Sequence, residues 1–164
     1  MKKNSQPPEK NDHRDARWLD VVAIWPTIQG EGPFTGTPAT FIRLAGCNLQ
    51  CPLCDTNYTA NRQKEAFTSI NRTVLSFNNQ LVVITGGEPF RQNITELCRL
   101  LLEQGLLVQV ETNGTICPTE SFHRLKGEVN STSCRLCVVC SPKTSKISPT
   151  MGSLVDAWKY VVKD

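Results

Sequence analysis

The sequence has no apolar run long enough to cross a membrane, and it carries little excess charge. None of its apolar stretches approaches the roughly 18–20 residues that a membrane-spanning helix needs. A formal net charge of +3 over 164 residues gives no reason to expect nucleic acid or an anionic membrane as a partner. The polar N-terminus also lacks the apolar segment of a signal peptide, so we expect a cytoplasmic protein.

Internal repeats and Gly/Ser-rich linkers are absent too, which argues against several folded units. We predict a disordered polar tail at residues 1–17, because this segment is polar throughout, and one core domain at residues 18–164. The sequence is rich in cysteine, with eight residues. In a reducing compartment, clustered cysteines are better suited to metal binding or catalysis than to disulfides.

Short apolar runs separated by Gly, Pro and Asn predict six strands, and helical periodicity between them predicts three helices. The predicted strands span residues 21–25, 39–44, 81–85, 107–111, 136–141 and 158–162. The predicted helices span residues 68–77, 93–104 and 118–125. Because strands alternate with helices and most strands are continuously apolar, we expect an α/β fold with a parallel sheet and helices outside it. Polar segments follow several strands, and ligands bind at the carboxyl ends of such strands.

Three cysteines lie close together directly after the second predicted strand. Cys47, Cys51 and Cys54 form a CxxxCxxC sequence. This spacing provides three thiolates, whereas a structural zinc site takes four protein ligands and a four-iron cluster has four irons to ligate. The spacing therefore favours a [4Fe–4S] centre with one iron left open. A structural zinc site and three unrelated buried thiols are the alternatives.

A second segment, residues 85–89 (TGGEP), follows the third predicted strand. Its two glycines allow the backbone to approach a ligand closely, and Glu88 can pair with an ammonium group. Together with the cysteine loop, this segment resembles the radical S-adenosylmethionine (SAM) enzymes. The resemblance implies that the open iron chelates the amino and carboxylate groups of SAM. An electron from the cluster would then produce a 5′-deoxyadenosyl radical.

Further segments narrow the resemblance to the 7-carboxy-7-deazaguanine synthase (QueE) family. They are residues 27–32 (TIQGEG), 41–47 (FIRLAGC), 54–56 (CDT), 111–115 (ETNGT) and 141–143 (SPK), in the order of the family. The resemblance implies a partial, incomplete radical SAM β/α barrel. It also implies conversion of 6-carboxy-5,6,7,8-tetrahydropterin to 7-carboxy-7-deazaguanine with loss of ammonia, a step towards queuosine. SAM would act catalytically in this reaction, and the cofactor would carry the difficult chemistry.

The resemblance also implies a role for each matching residue, with no catalytic side chain beyond the cluster and the SAM radical. Thr56 would bind Mg²⁺, or its hydroxyl would only stabilise the loop. Arg43 would grip the substrate carboxylate with its planar, permanently charged fork. The predicted cluster ligands are Cys47, Cys51 and Cys54. The predicted SAM contacts are Leu53, Cys54, Asp55, Gly87, Glu88, Ser141, Pro142 and Lys143. The predicted substrate contacts are Ile28, Gln29, Gly30, Glu31, Arg43 and Thr85.

Three features depart from the family pattern. Leu53 stands where radical SAM enzymes usually carry an aromatic residue, so stacking on adenine is lost. The chain stops at Asp164, whereas family members generally continue through a further strand and helix, so we expect a compact or C-terminally truncated form, or a partner that completes the site. Cys134, Cys137 and Cys140 form an extra CxxCxxC and raise the alternative of a second metal site. Against this, residues three apart on a buried strand point to opposite faces.

The resemblance further implies a pterin as small-molecule substrate, an electron donor such as flavodoxin, and a homodimer, without nucleic acid or membrane partners. Two alternatives stay open. One is an activase that generates a glycyl radical on a large partner, as in anaerobic ribonucleotide reductase activation; it shares CxxxCxxC but not the QGEG segment with Arg43 and Thr56. The other is a catalytically inactive iron–sulfur or zinc module.

Overall fold

The computed structural model describes residues 4–13 and 17–161, which form a mixed seven-stranded sheet with helices on one side. The strands are β1 (Trp18–Ile28), β2 (Pro38–Leu44), β3 (Gln63–Ala66), β4 (Leu81–Gly86), β5 (Leu107–Thr112), β6 (Leu136–Cys140) and β7 (Ala157–Trp158). The helices are α1 (Phe67–Ser76), α2 (Thr95–Glu103), α3 (Glu120–Asn130) and α4 (Met151–Leu154), with 3-10 turns at Gly32–Phe34 and Pro89–Arg91. The strand order is β3-β1-β2-β4-β5-β6-β7, and β2, β4, β5, β6 and β7 are parallel.

The predicted α/β fold is confirmed, but the expectation that the whole sheet is parallel is wrong at one edge. Strand β1 runs antiparallel to both β2 and β3. Residues 29–37 between β1 and β2 are too few for a crossover helix, and the backbone bond from Gly36 N to Gln29 O (2.7 Å) closes a hairpin instead. Strand β3 was not predicted because it is a short, charged edge strand, and charge is typical of sheet edges.

The main core lies between the sheet and the helices. Alternating residues of the parallel strands, such as Ile42, Ile84 and Val110, face α1, α2 and α3 and are fully buried. Cys98 of α2 belongs to this cluster. The opposite face of the sheet carries a much smaller apolar cluster, in which Val83 packs with neighbours near the amino ends of the strands. The carboxyl half of that face is therefore left for polar side chains.

Two segments that follow neighbouring strands meet at the carboxyl edge of the sheet. Gly87, just after β4, lies so close to Gly46, just after β2, that a Cβ atom on Gly87 would stand 1.9 Å from the Gly46 carbonyl oxygen. The Glu88 N–H donates to the same oxygen at 3.0 Å. This close approach fixes the start of the cysteine loop against the GGEP segment.

The disordered tail predicted for residues 1–17 falls partly outside the described residues, and it stays a prediction. Residues 4–13 follow a defined course against the cysteine loop, where the Glu9 N–H donates to Cys47 O at 2.7 Å and Asp12 forms a β-bridge with Gln92. A polar composition indicates that a segment cannot build a core of its own, but it does not reveal hydrogen-bond partners supplied by the rest of the fold. The boundary at residue 18 stays a prediction.

Among the described residues, no helix has both the length and the apolar character required to cross a membrane.

Candidate active site

The cysteine loop begins directly after β2, at the carboxyl edge of the sheet. Cys47 is buried, and Cys51 and Cys54 are half-buried. The pKa of the Cys47 thiol is raised to about 11, mainly by burial and to a smaller extent by the nearby charges of Glu88, Cys51 and Cys54, while the hydrogen bond from Leu49 N opposes the rise. Because the charges of Cys51 and Cys54 act on the pKa of Cys47, the three thiols lie near one another, and a cationic centre there would stabilise their thiolates.

The thiols are held in local hydrogen bonds. Cys47 Sγ accepts from Leu49 N at 3.4 Å, and Cys54 Sγ donates to the Thr56 carbonyl at 3.7 Å. In the described part of the chain, no three His, Cys, Asp or Glu side chains stand ready around one point to hold a metal ion. The donor set of three soft sulfur ligands on one short loop fits an iron–sulfur cluster.

Asn113, in the turn after β5, connects this loop to the centre of the sheet. Its side-chain amide donates to Asn48 Oδ1 at 3.0 Å and approaches Cys47 Sγ at 3.9 Å. Asn48 in turn donates to Thr115 Oγ1 at 2.7 Å. Asn113 lies within the ETNGT segment, but reasoning from the sequence gave it no role.

Glu88 is predicted to contact SAM, but in this structure its carboxylate forms hydrogen bonds within the protein. Its carboxylate is completely buried and accepts hydrogen bonds from Phe90 N (3.0 Å), Thr112 Oγ1 (2.7 Å) and Asn113 N (2.7 Å). Burial raises the pKa of this carboxyl to about 7, and the three hydrogen bonds oppose the shift. Glu88 thus joins the segments that follow β4 and β5. Its contact with SAM stays a prediction.

The raised pKa of Glu88 predicts a pH-dependent stability. An acid whose native pKa lies above its unfolded value binds more protons in the native state, so the free energy of unfolding falls as pH rises from about 4.5 to about 7. The loss attributable to Glu88 approaches about 3 kcal/mol, at roughly 1.4 kcal/mol per pKa unit. We expect Glu88→Gln to remove most of this slope in urea titrations at several pH values. The exposed Glu103→Gln is the control, and an unchanged slope in Glu88→Gln would contradict the assignment.

A polar network occupies the face of the sheet opposite the helices. Glu111 on β5 is its centre: Oε1 accepts from Gln29 Nε2 (3.0 Å) and Gln109 Nε2 (2.9 Å), and Oε2 accepts from Thr85 Oγ1 (3.1 Å). Lys159 Nζ approaches Glu111 at 3.9 Å and also pairs with Glu31. Gln29 and Thr85, which are predicted to contact the substrate, therefore both donate hydrogen bonds to the carboxylate of Glu111. The sequence analysis gave Glu111 no role. The available signal was the pair of polar residues Gln109 and Glu111, whose spacing of two places both side chains on one face of a buried strand.

Arg43 lies on β2 beside Thr85 of β4 in the sheet register. Its guanidinium carbon is 4.9 Å from the ring centroid of Trp25, a cation–π contact. Its Nε is buried without a hydrogen-bond partner. Since a buried donor without a partner is costly, this position is suited to an anion that arrives with a ligand.

The segment after β6 approaches the cysteine loop from the other side. Ser141 N donates to Thr112 O at 2.8 Å, and Lys143 Nζ donates to Ser141 Oγ at 2.9 Å. Lys143 is close enough to the loop that its positive charge opposes the upward shift of the Cys51 pKa, which burial causes. Pro142 lies between these two residues and is half-buried.

The remaining residues that are predicted to contact SAM, the substrate or Mg²⁺ are more exposed to solvent. Ile28 is 64% exposed and Leu53 59% exposed. Gly30, Glu31 and Asp55 are also exposed. Thr56 Oγ1 donates to Asp55 Oδ1 at 3.3 Å, so the role of Thr56 in binding Mg²⁺ stays a prediction.

The extra cysteines do not converge. Cys134 is exposed, whereas Cys137 and Cys140 are buried in β6, where their spacing of three places them on opposite faces. Their arrangement gives no geometric support to a second metal site.

Fold and site together define a class. A mostly parallel α/β sheet that carries a CxxxCxxC loop and a GGEP segment at its carboxyl edge is the arrangement of a radical SAM protein.

The chain is similar in sequence and in structure to known proteins that narrow this class. A 7-carboxy-7-deazaguanine synthase from Rhodospirillum rubrum is 40% identical over 159 residues, which is 95% of this chain and 63% of that protein. One from Rickettsia prowazekii is 45% identical over 160 residues, 90% of this chain and 63% of that protein. The crystal structure of QueE from Escherichia coli superposes with a TM-score of 0.71 at 25% identity, covering 87% of this chain and 70% of that one. No protein-family model matches the chain.

Over most of its own length, the chain is similar in sequence to 7-carboxy-7-deazaguanine synthases and in structure to QueE. It spans a little under two thirds of the length of these two relatives, at 63% of each.

Proposed function

We propose that this chain is a radical SAM lyase that converts 6-carboxy-5,6,7,8-tetrahydropterin to 7-carboxy-7-deazaguanine with loss of ammonia. The observation that carries the proposal is the arrangement at the carboxyl edge of the sheet. There the cysteine loop follows β2 directly, and Arg43 on the same strand stands beside Thr85, which is hydrogen-bonded to Glu111. The similarity to 7-carboxy-7-deazaguanine synthases supports the same reaction.

The cofactors in this proposal are a [4Fe–4S] cluster, SAM and Mg²⁺. When bound, they would supply the electron and the 5′-deoxyadenosyl radical that start the reaction. Cys47, Cys51 and Cys54 would hold the cluster, and Thr56 would offer its hydroxyl to Mg²⁺, which prefers oxygen ligands. The proposed SAM contacts are Leu53, Cys54, Asp55, Gly87, Glu88, Ser141, Pro142 and Lys143.

The substrate would lie over the face of the sheet that the helices leave free. Arg43 would bind its carboxylate, a pairing that would give the buried Nε an acceptor. Gln29 and Thr85 are already oriented by Glu111, so little side-chain ordering would be needed when the pterin binds. Ile28, Gly30 and Glu31, in the loop after β1, are the other proposed contacts.

An anaerobic assay tests the proposed reaction. Reconstituted protein is incubated with SAM, Mg²⁺, a chemical reductant and 6-carboxytetrahydropterin, and the deazaguanine acid is measured by mass spectrometry. We expect this acid together with ammonia. Deoxyadenosine without the deazaguanine would contradict the substrate and favour a glycyl-radical activase. Neither product, despite a full cluster, would favour an inactive iron–sulfur module.

Arg43→Lys is expected to lower kcat/KM for the pterin by about 10- to 100-fold. The lysine ammonium group cannot form the paired hydrogen bonds of the guanidinium, and a hydrogen bond to a charged group is worth about 1.5–3 kcal/mol. Most of the change should appear in KM, since the interaction binds the substrate carboxylate rather than the reacting atoms. The control is the same substitution at the exposed Arg72 in α1. A kcat/KM within about twofold of the wild type would remove Arg43 from the binding site.

Three further parts of the proposal concern partners and location. The electron donor would be a small redox protein such as flavodoxin, and the active form would be a homodimer in the cytoplasm. Eight free cysteines are consistent with a reducing compartment. Native mass spectrometry would distinguish a dimer from a monomer.

A further inference from the structure

The N-terminal strap, defined here as residues 4–13, lies along the cysteine loop and satisfies its backbone. Asn4 N donates to Pro52 O at 3.1 Å, and Glu9 N donates to Cys47 O at 2.7 Å. The loop has no regular secondary structure between Cys47 and Tyr58, and within it Cys54 N donates to Cys51 O at 3.2 Å as one local turn. Exposed backbone groups of such a loop need partners from elsewhere if the loop is to keep one shape.

Gln6 provides the most specific of these contacts. Its side-chain amide bonds two backbone groups on either side of Asn57: Nε2 donates to Thr56 O at 2.9 Å, and Oε1 accepts from Tyr58 N at 2.7 Å. The side-chain amide of Gln6 thus pairs with the backbone directly after Cys54, as the backbone of a neighbouring strand would.

Tyr58 extends the same connection into the loop. It is almost completely buried, and its hydroxyl lies within hydrogen-bond distance of Gln6 O (3.2 Å) and Leu49 O (3.3 Å). A hydroxyl that bridges the strap and the loop couples the positions of the two segments.

Arg91 fastens the other end of the strap. This almost completely buried residue donates from Nη1 to Lys10 O at 3.2 Å and from Nη2 to Ala45 O at 3.1 Å, and it pairs with the Glu9 carboxylate at 3.4 Å. Glu9 and Arg91 lie directly over Gly46, where a Cβ atom would stand 2.7 Å from Glu9 Oε2 and 2.5 Å from Arg91 Nε. The strap is thereby anchored at the residue that precedes Cys47.

Two consecutive prolines restrict the backbone of the strap. Pro7 and Pro8 restrict the backbone directly after Gln6, and a residue before proline favours an extended conformation. Both restrictions reduce the conformational freedom that the strap loses when it lies on the loop.

We propose that the N-terminal strap positions the cysteine loop, and that Gln6 is the positioning residue for the segment after Cys54. The strap contacts the backbone of the first cysteine, the loop between the second and third cysteines, and the segment after the last cysteine, so it holds both ends of the ligand set together. This role does not depend on which reaction the site performs.

Hydrogen–deuterium exchange in the full-length, cluster-free protein tests the proposal directly. Gln6→Ala removes two hydrogen bonds to the backbone of the loop and one from the Thr59 hydroxyl, which predicts exchange about 5- to 30-fold faster in peptides covering residues 48–58. Peptides from β4 and β5 should exchange as in the wild type. The matched control is Ser5→Ala, an exposed neighbour in the same strap.

The reconstituted protein provides a second readout that a merely structural contact far from the loop would not move. We expect Gln6→Ala to lose iron to a chelator several-fold faster and to show a broader electron paramagnetic resonance (EPR) signal of the reduced cluster. Gln6→Glu keeps the acceptor for Tyr58 N but places a carboxylate oxygen against the Thr56 carbonyl oxygen, so it should not restore the wild-type behaviour.

Two results would overturn the proposal. One is unchanged exchange at residues 48–58 in Gln6→Ala. The other is faster exchange over the whole sheet, which would assign Gln6 to global stability. Neither result bears on the proposed reaction, which the product assay tests separately.

Discussion

Replacing Gly87 by alanine is expected to lower the free energy of unfolding by about 3–5 kcal/mol, because the added methyl group meets only rigid backbone. Its Cβ would lie 1.9 Å from Gly46 O, 2.4 Å from Gly46 C and 2.9 Å from Cys47 N. Relief requires the cysteine loop to move away from the GGEP segment. That movement breaks the bond from Glu88 N to Gly46 O and weakens the bond from Gly87 N to Leu44 O. Urea denaturation of the cluster-free protein measures the change.

Gly127→Ala is the matched control for this substitution. Gly127 lies inside α3, and a Cβ atom there would have no neighbour within 4 Å. Alanine exceeds glycine in helix propensity by about 1 kcal/mol, so the same chemical change should stabilise the protein slightly. A Gly87→Ala protein within about 1 kcal/mol of the wild type would show that the loop does not pack against the GGEP segment.

Replacing Cys51 by alanine is expected to reduce the iron content of the reconstituted protein from about four atoms per chain to below about one, since a three-thiolate site has no spare ligand. The same substitution at Cys117 or Cys134, both exposed and outside the loop, is the control and should leave the iron content unchanged. Iron and sulfide analysis after anaerobic reconstitution checks both expectations.

Two outcomes would contradict this assignment of ligands. Full iron binding in Cys51→Ala would place the cluster elsewhere or give it a different ligand. A loss of iron in Cys134→Ala, with the fold intact by circular dichroism, would indicate that the extra CxxCxxC binds metal.

The fold was largely predictable because its parallel strands are buried on both faces and therefore form continuous apolar runs. Leu81–Gly86 and Leu136–Cys140 are recognisable in this way without a structure. The direction of β1 was not predictable, since the same apolar run suits either orientation and only the short connection to β2 decides it. Gln63–Ala66 escaped notice because an edge strand needs no apolar pattern.

At the site, the spacing of residues in the sequence was sufficient to locate the cysteine loop and the segments that resemble the family. The contacts between segments far apart in the sequence could be identified only in the folded structure. Glu111 was visible as part of a segment, but its hydrogen bonds to Gln29 and Thr85 depend on three separate strands and loops. Residues 4–13 form hydrogen bonds with partners far away in sequence, as Gln6 does with Thr56 and Tyr58, and a polar composition does not predict such contacts. Hydrogen bonds of this kind leave no periodic pattern in the sequence.

The central claim is that the loop of Cys47, Cys51 and Cys54 holds a cluster with one iron open to SAM. EPR spectroscopy of the dithionite-reduced, reconstituted protein, recorded with and without SAM, tests it most directly. We predict a [4Fe–4S]⁺ signal whose g-values shift when SAM is added, and no such signal in Cys51→Ala. A full-strength cluster signal that SAM leaves unchanged would contradict the claim, because it would mean that no iron is available to bind SAM.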